Sequence, residues 1–140
     1  MATFGLQWKV AVVDDLRENT KFCIYLRMDE RCKAVTFCGG ALDDLRAFPA
    51  SARRVAGYEL DKVQNGLDPS DWKPMNSVGQ GVREIRSRDA SGAFRVLYVA
   101  KFADAVYVLH CFQKKTQATS KIDLDLAAKR YRDLMKELDQ

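Results

Sequence analysis

The sequence predicts an α+β domain: a small, mainly antiparallel sheet with a two-helix hairpin packed on it and a C-terminal helix. Three observations lead there. Residues 82–112 read as three successive strand-like runs separated by short turns. Residues 41–64 hold two stretches of helical spacing with Pro49 between them. Residues 120–138 form an amphipathic segment that opens on a capping signal. With 140 residues, 47% hydrophobic and 30% charged, the chain has the size and composition of one ordinary globular domain. No window approaches the roughly 18 consecutive apolar residues of a membrane helix. The first residues lack the basic region, apolar core and cleavage site of a signal peptide, so a cytoplasmic location is expected.

Taken in order, residues 8–13 (WKVAVV) read as a strand, and residues 19–27 as a second strand or a helical turn. Met28 is followed by charged residues and then by AVTF, a clear strand signal. Residues 1–27 are therefore expected to be an N-terminal extension of uncertain role, and 28–140 the folded domain. The strand at 33–38 closes on Gly39 and Gly40. A short helix, ALDDLRAF, is stopped by Pro49, and a second places Ala52, Val55, Ala56, Leu60 and Val63 on one face before Asn65-Gly66 ends it. Residues 67–81, with two prolines and two glycines, read as a loop pinned to the core by Trp72.

The strands follow. Residues 82–88 alternate weakly, and Asp89-Ala90-Ser91-Gly92 is a turn with glycine placed for a positive φ. Residues 93–101 are rich in β-branched and aromatic side chains. The run 105–112 is apolar on both faces, as in a central strand. Ser120 and Asp123 cap the last helix, which sets Leu124, Ala127, Tyr131, Leu134 and Leu138 on one face.

Charge is concentrated in the strand region. Residues 77–122 contain eight Lys/Arg against three Asp/Glu, an excess of five beside the +4 of the whole chain, which points to a phosphate-bearing partner. Alternation puts Arg83 on one face of its strand and Glu84, Arg86 and Arg88 on the other, while Arg95 shares a face with Leu97 and Val99. An arginine among apolar strand residues needs a partner. Glu84 and Asp104 are candidates within the chain, and a phosphate oxygen is the candidate outside it.

His110 is the only histidine. It is either a hydrogen-bonded core residue or a proton-transfer group beside Lys114 and Lys115. Metal-free RNA cleavage, in which the 2′-OH attacks the adjacent phosphate, needs a base, an acid and cations on the non-bridging oxygens. His, Lys and Arg supply all of these. Arg95, His110, Lys114 and Lys115 are thus the candidate catalytic residues. Arg83, Arg86, Arg88, Lys101, Phe112 and Lys121 are the candidate RNA-binding residues, with Phe112 and Tyr98 readable either as stacking surfaces or as core. Lys114, Lys115 and Lys121 are also readable as a solubilising tail. The four cysteines are irregularly spaced without a C-x-x-C pair, which fits reduced thiols better than zinc, and no nucleotide or metalloprotease motif is present, so no metal or cofactor is expected. Cys111 points away from His110 on a strand, which argues against a Cys–His dyad.

The runs ALDDLRAFPASARRVAGYELDKVQNGLDPSDWKPM (41–75), FRVLYVAKF (94–102) and VYVLHCFQKKTQ (106–117) make the sequence resemble the phage-derived, HigB-like branch of the RelE/ParE toxin superfamily, over roughly residues 34–137. The resemblance implies a RelE-like fold and a toxin of a type II toxin–antitoxin pair. RelE and HigB relatives are ribosome-dependent endoribonucleases that cut mRNA in the A site. The implied partners are mRNA, the ribosome and a cognate antitoxin of helix-turn-helix type in a toxin–antitoxin hetero-oligomer. By position, Arg95 matches the arginine that helps stabilise the scissile phosphate. Lys114 and Lys115 fall where relatives place basic residues after the last strand, and Arg83 and Arg86 match basic positions of the preceding strand. His110 rests on chemistry more than on position. RelE proper carries a catalytic tyrosine at its last helix, whereas SKIDLDL (120–126) has none before Tyr131. A ParE-like gyrase inhibitor and a catalytically inactive antitoxin-binding module are the alternatives.

Overall fold

The computed structural model describes residues 33–139, together with the backbone of two earlier strands, β1 (Lys9–Val13) and β2 (Lys21–Tyr25). Then follow β3 (Ala34–Phe37), α1 (Ala41–Arg46), α2 (Ala50–Gln64), β4 (Trp72–Pro74), β5 (Val82–Asp89), β6 (Gly92–Val99), β7 (Ala105–Lys114) and α3 (Lys121–Leu138). They form one sheet in the order β1-β2-β3-β7-β6-β5-β4. Every pairing is antiparallel except β3 with β7. The α+β class and the central place of β7 are as the sequence predicts. The backbone of β1 and β2 extends the sheet beyond β3. Trp8 and the expected boundary at residues 27–28 lie outside the described residues.

Two apolar layers hold the sheet. On one face, Leu42, Phe48, Ala52, Ala56 and Leu60 of the α1–α2 hairpin pack on Val35, Phe37, Ile85, Val96, Val106 and Val108. On the other, Ala127 and Leu134 of α3, flanked by Leu124, Tyr131 and Met135, pack on Val82, Leu97, Val99, Tyr107 and Leu109. Burying each of the larger side chains contributes about 1.5–3 kcal/mol. The Ser120 hydroxyl accepts from the Asp123 N–H at 3.1 Å and starts α3 where the capping signal places it.

Four details depart from the periodicity reading. Val55 is 41% exposed, because the buried stripe of α2 is turned toward Glu59 and Gln64. Those polar groups tolerate burial because each has a backbone partner: Glu59 accepts from the Ser70 N–H at 2.6 Å, and Gln64 Nε2 donates to the Lys33 carbonyl at 2.6 Å. The stretch read as a loop contains β4, which pairs with β5. Trp72 is only half-buried there, and Met75 and Val78 pin the segment instead. Leu138, at the helix end, is exposed.

The fourth departure is in β7. Its register runs Leu97↔His110 and then Tyr98↔Val108, so Leu109 is an extra residue, a β-bulge. Before it, Val106 and Val108 face the α1–α2 layer; after it, Cys111 does. Phe112, and His110 with it, therefore face the α3 side.

A close approach fixes α3 at its other end. A Cβ on Gly79 would lie 2.5 Å from the Tyr131 ring, whose hydroxyl donates to the Gln80 carbonyl at 2.9 Å. Gly79→Ala should therefore cost about 1–3 kcal/mol through overpacking, read as a lower urea midpoint at unchanged slope. An unchanged midpoint would mean that the ring moves aside freely.

Candidate nucleic-acid interface

Helix α3 covers only part of its sheet face. Beyond its N-terminus the rows are Arg86↔Arg95↔Phe112 and Arg88↔Ala93↔Lys114. Period-two alternation on three adjacent strands brings these side chains to one face. Arg88, Ala93, Arg95 and Lys114 among them line a groove of about 550 Å³, together with Lys115, Thr116 and Gln117. Asp89 is the one acid in its wall. The Ser51 hydroxyl (2.8 Å) and the Ser91 N–H (2.7 Å) donate to it and hold its carboxyl below the ordinary value. Among the described residues, no carboxylate pairs with Arg88, Lys114 or Lys115.

Arg95 is the deepest cation, 8% exposed on the groove floor. Its Nη1 donates to the Phe94 carbonyl at 3.0 Å, and its Nε lies 3.6 Å from Glu84. Of the two acids considered for it, Glu84 is the partner; Asp104 instead accepts from the Tyr107 hydroxyl. Burial lowers the Arg95 pKa, the Glu84 charge opposes that, and a guanidinium remains protonated at neutral pH. Glu84 is 1% exposed, and neither of its oxygens finds a hydrogen bond. Arg86 sits beside them with Nε 3.5 Å from Asp71.

His110 lies outside the groove lining, on the side of α3. The ring is 5% exposed and stacked on Phe112 at 5.1 Å. Its Nε2 lies 2.7 Å from Asp123 Oδ1 and its Nδ1 lies 3.2 Å from Asp44 Oδ2. Arg130 completes the cluster: Nη1 donates to Asp44 (3.1 Å) and to the Leu109 carbonyl (2.9 Å), and lies 3.4 Å from His110 Nδ1. Its guanidinium passes over Gly39 and Gly40, where a Cβ would come within 2.8 and 3.2 Å of it. This clamp joins α1, β7 and α3. It engages both ring nitrogens, so neither is free to face the groove.

The family model for phage-derived Gp49-like proteins (DUF891) matches residues 43–132, which span both groove and clamp. The chain belongs to the Gp49-like family. That family is associated with RelE/HigB-like toxins. No curated protein compared with the chain matches it.

The Gp49-like groove gathers some of the sequence candidates and not others. Arg88, Arg95, Lys114 and Lys115 line it, with Arg86 and Phe112 in adjoining positions. Lys121 is exposed at the start of α3. Arg83 is on the opposite face, 4.0 Å over the Trp72 ring and 3.1 Å from Asp68. Lys101 is at the far end of β6, where its Nζ donates to the Gln80 carbonyl and the Tyr131 hydroxyl. Tyr98 is fully buried on the α2 side, and Phe112 is largely covered, so neither ring is free for stacking as it stands. Cys111 is also on that side, where burial pushes its thiol pKa up. Cys38 and Cys111 are buried, and the side chains of Cys23 and Cys32 lie outside the described residues. No helix among the described residues is long and apolar enough to cross a membrane.

Sequence reasoning missed Asp44, Asp123 and Arg130 as a unit. Asp44 sits in the first turn of α1, where the helix dipole alone accounts for an acid, and Asp123 read as a cap. Nothing in the spacing ties Arg130 to a residue 86 positions away. His110→Gln keeps the shape but cannot hold both carboxylates in the same way, and it should lower stability by about 1–3 kcal/mol. Denaturant unfolding at neutral pH checks this; a loss under about 0.5 kcal/mol would place His110 among ordinary surface positions.

Proposed function

We propose that this Gp49-like protein is the toxin of a type II toxin–antitoxin pair and a metal-independent endoribonuclease that cuts mRNA in the ribosomal A site. The observation that carries the reading is the groove: a buried, pre-positioned arginine on its floor, three further cations around it, and one acid in the wall. Arg95 and Arg88 bind the non-bridging oxygens of the scissile phosphate and stabilise the charge that grows on them as the 2′-OH attacks. Lys114 and Lys115, which pair with no carboxylate among the described residues, are placed for the two proton transfers: one, as the neutral amine, takes the 2′-OH proton, and the other, as the ammonium, gives one to the leaving 5′-oxygen. His110 acts through the clamp, holding β7 and the start of α3 in place, and is a positioning residue. The protein works in the cytoplasm and is restrained by a cognate antitoxin of helix-turn-helix type.

The engagement of His110 favours a second reading, a catalytically inactive module that uses the same basic face to bind its antitoxin, because the one imidazole is withdrawn from proton transfer. Induced expression followed by mapping of transcript 5′ ends separates the two. Codon-phased cuts on translated messages are expected. Growth arrest with intact mRNA and gyrase-linked DNA breaks would overturn the reading in favour of gyrase inhibition, and intact mRNA with no arrest would leave the binding module.

Arg95→Ala should reduce cleavage by about 10²–10³-fold, the usual effect of removing one oxyanion donor. Because it also leaves the buried Glu84 with only Lys73, at 3.9 Å, as a cationic partner, the variant must be matched by a melting curve. The double variant Lys114→Gln/Lys115→Gln is at the surface and should relieve growth arrest without loss of fold. Full toxicity of both variants would show that the chemistry lies elsewhere.

A further inference from the structure

A second cationic site lies on the other face of the sheet, and the cleavage reading does not use it. Arg83 and Tyr98 are register partners, on the α2 side. Around them a hollow of about 260 Å³ opens between the end of α2 and the end of β6, lined also by Lys33, Gly66, Asp68 and Lys101. Arg83 heads the site at the start of β5. The groove is formed at the end of the same strand, about 17 Å further along.

Three cationic residues from separate segments of the chain line the hollow, with one carboxylate among them. Asp68 pairs with Arg83 at 3.1 Å. Lys33 Nζ donates to the Ala100 carbonyl (2.8 Å), and Lys101 Nζ, at the rim toward α3, to the Gln80 carbonyl (3.2 Å) and the Tyr131 hydroxyl (3.3 Å), all neutral acceptors. Among the described residues neither ammonium meets an acid. The Tyr98 hydroxyl also ends at this hollow, buried beside the Arg83 guanidinium and with no hydrogen bond of good geometry. It is one of several buried polar atoms without such a bond, and the one that borders this hollow. Beside it, the Arg83 guanidinium lies 4.0 Å over the Trp72 indole, a planar pair at the short edge strand β4. Gly66, at φ +81° and with no atom within 4 Å of the place a Cβ would take, leaves the mouth open.

We propose that this hollow is a second nucleic-acid contact, which takes a backbone phosphate between Arg83, Lys33 and Lys101 while the Trp72–Arg83 pair offers a stacking surface to the adjoining base. An acidic side chain would satisfy the cations equally well, but it has no use for the planar pair. Arg83 donates bidentately to a phosphate, and the two lysines complete the charge. The proposal stands on this geometry alone and does not require the groove to cut RNA.

Fluorescence of Trp72 in a Trp8→Phe background, in the full-length protein, reports on the site. Inorganic phosphate and uridine 5′-monophosphate should each change the emission saturably, the nucleotide at lower concentration, and uridine should have little effect. Arg83→Gln or Lys101→Gln should weaken the nucleotide about tenfold, the effect of losing one charge-assisted hydrogen bond, and Arg83→Lys should recover part of it. Arg88→Gln/Lys114→Gln, in the groove, should leave it unchanged. A response that survives both Arg83→Gln and Lys101→Gln, or that disappears in the groove variant, overturns the site. A response to hexaglutamate but not to the nucleotide overturns its assignment to nucleic acid. Melting curves of the two single variants show that each is folded, and Lys101→Gln carries the test if Arg83→Gln is not.

Discussion

The two faces of β7 exchange at Leu109, and the position of the polar groups around the groove follows from that exchange. A regular strand would send His110 to the face of Val108, into the α1–α2 layer, where an imidazole would lie among aliphatic side chains. The extra residue turns it to the α3 side, within reach of Asp123 at the start of α3 and Asp44 in α1. It also leaves the Leu109 carbonyl for Arg130 to bond. The bulge and the clamp are thus one device: the strand irregularity is held by the polar groups that it exposes.

The clamp has a consequence for the groove. By tying the first turn of α3 to β7, it sets where the helix begins and hence how much of the sheet face stays open. The open part carries Arg88, Arg95 and Lys114 from three neighbouring strands, an arrangement that alternation alone produces once the register is set. The buried Glu84–Arg95 pair on the floor is costly to desolvate and contributes little stability by itself. Its effect is to hold a cation in a fixed place where water is largely excluded, which is what strengthens its action on a phosphate.

Much of the fold was legible in the chain. Pro49 separated the helices, Asn65-Gly66 and Ser120-x-x-Asp123 marked helix ends, and the apolar run 105–112 announced the central strand. These are local signals, and each has a local cause in a dihedral preference, a cap or a period. Val55 and Glu59 went against the pattern because the returning segment at Ser70 satisfies Glu59. β4 was missed because three residues are too few to show alternation. In the site, the convergence of Arg88, Arg95 and Lys114 followed from strand parity, and Lys115 joins them from just past the end of β7. The separation of Arg83 from Arg86 did so as well, although both had been grouped as RNA-binding.

By itself, then, the sequence determined the α+β class, the element order, the basic character of the strand region and the faces on which Arg83, Arg86, Arg88 and Arg95 stand. All of these depend on residue type and on periods of a few residues. Only the tertiary structure decided the surroundings of His110, the choice of Glu84 over Asp104 for Arg95, and the placing of Lys101 and Arg83 in a second hollow away from the groove. Those outcomes depend on contacts between residues far apart in the chain and on one inserted residue in β7. A bulge has no compositional signature in LHC, and an ion pair across 86 positions has no spacing to read.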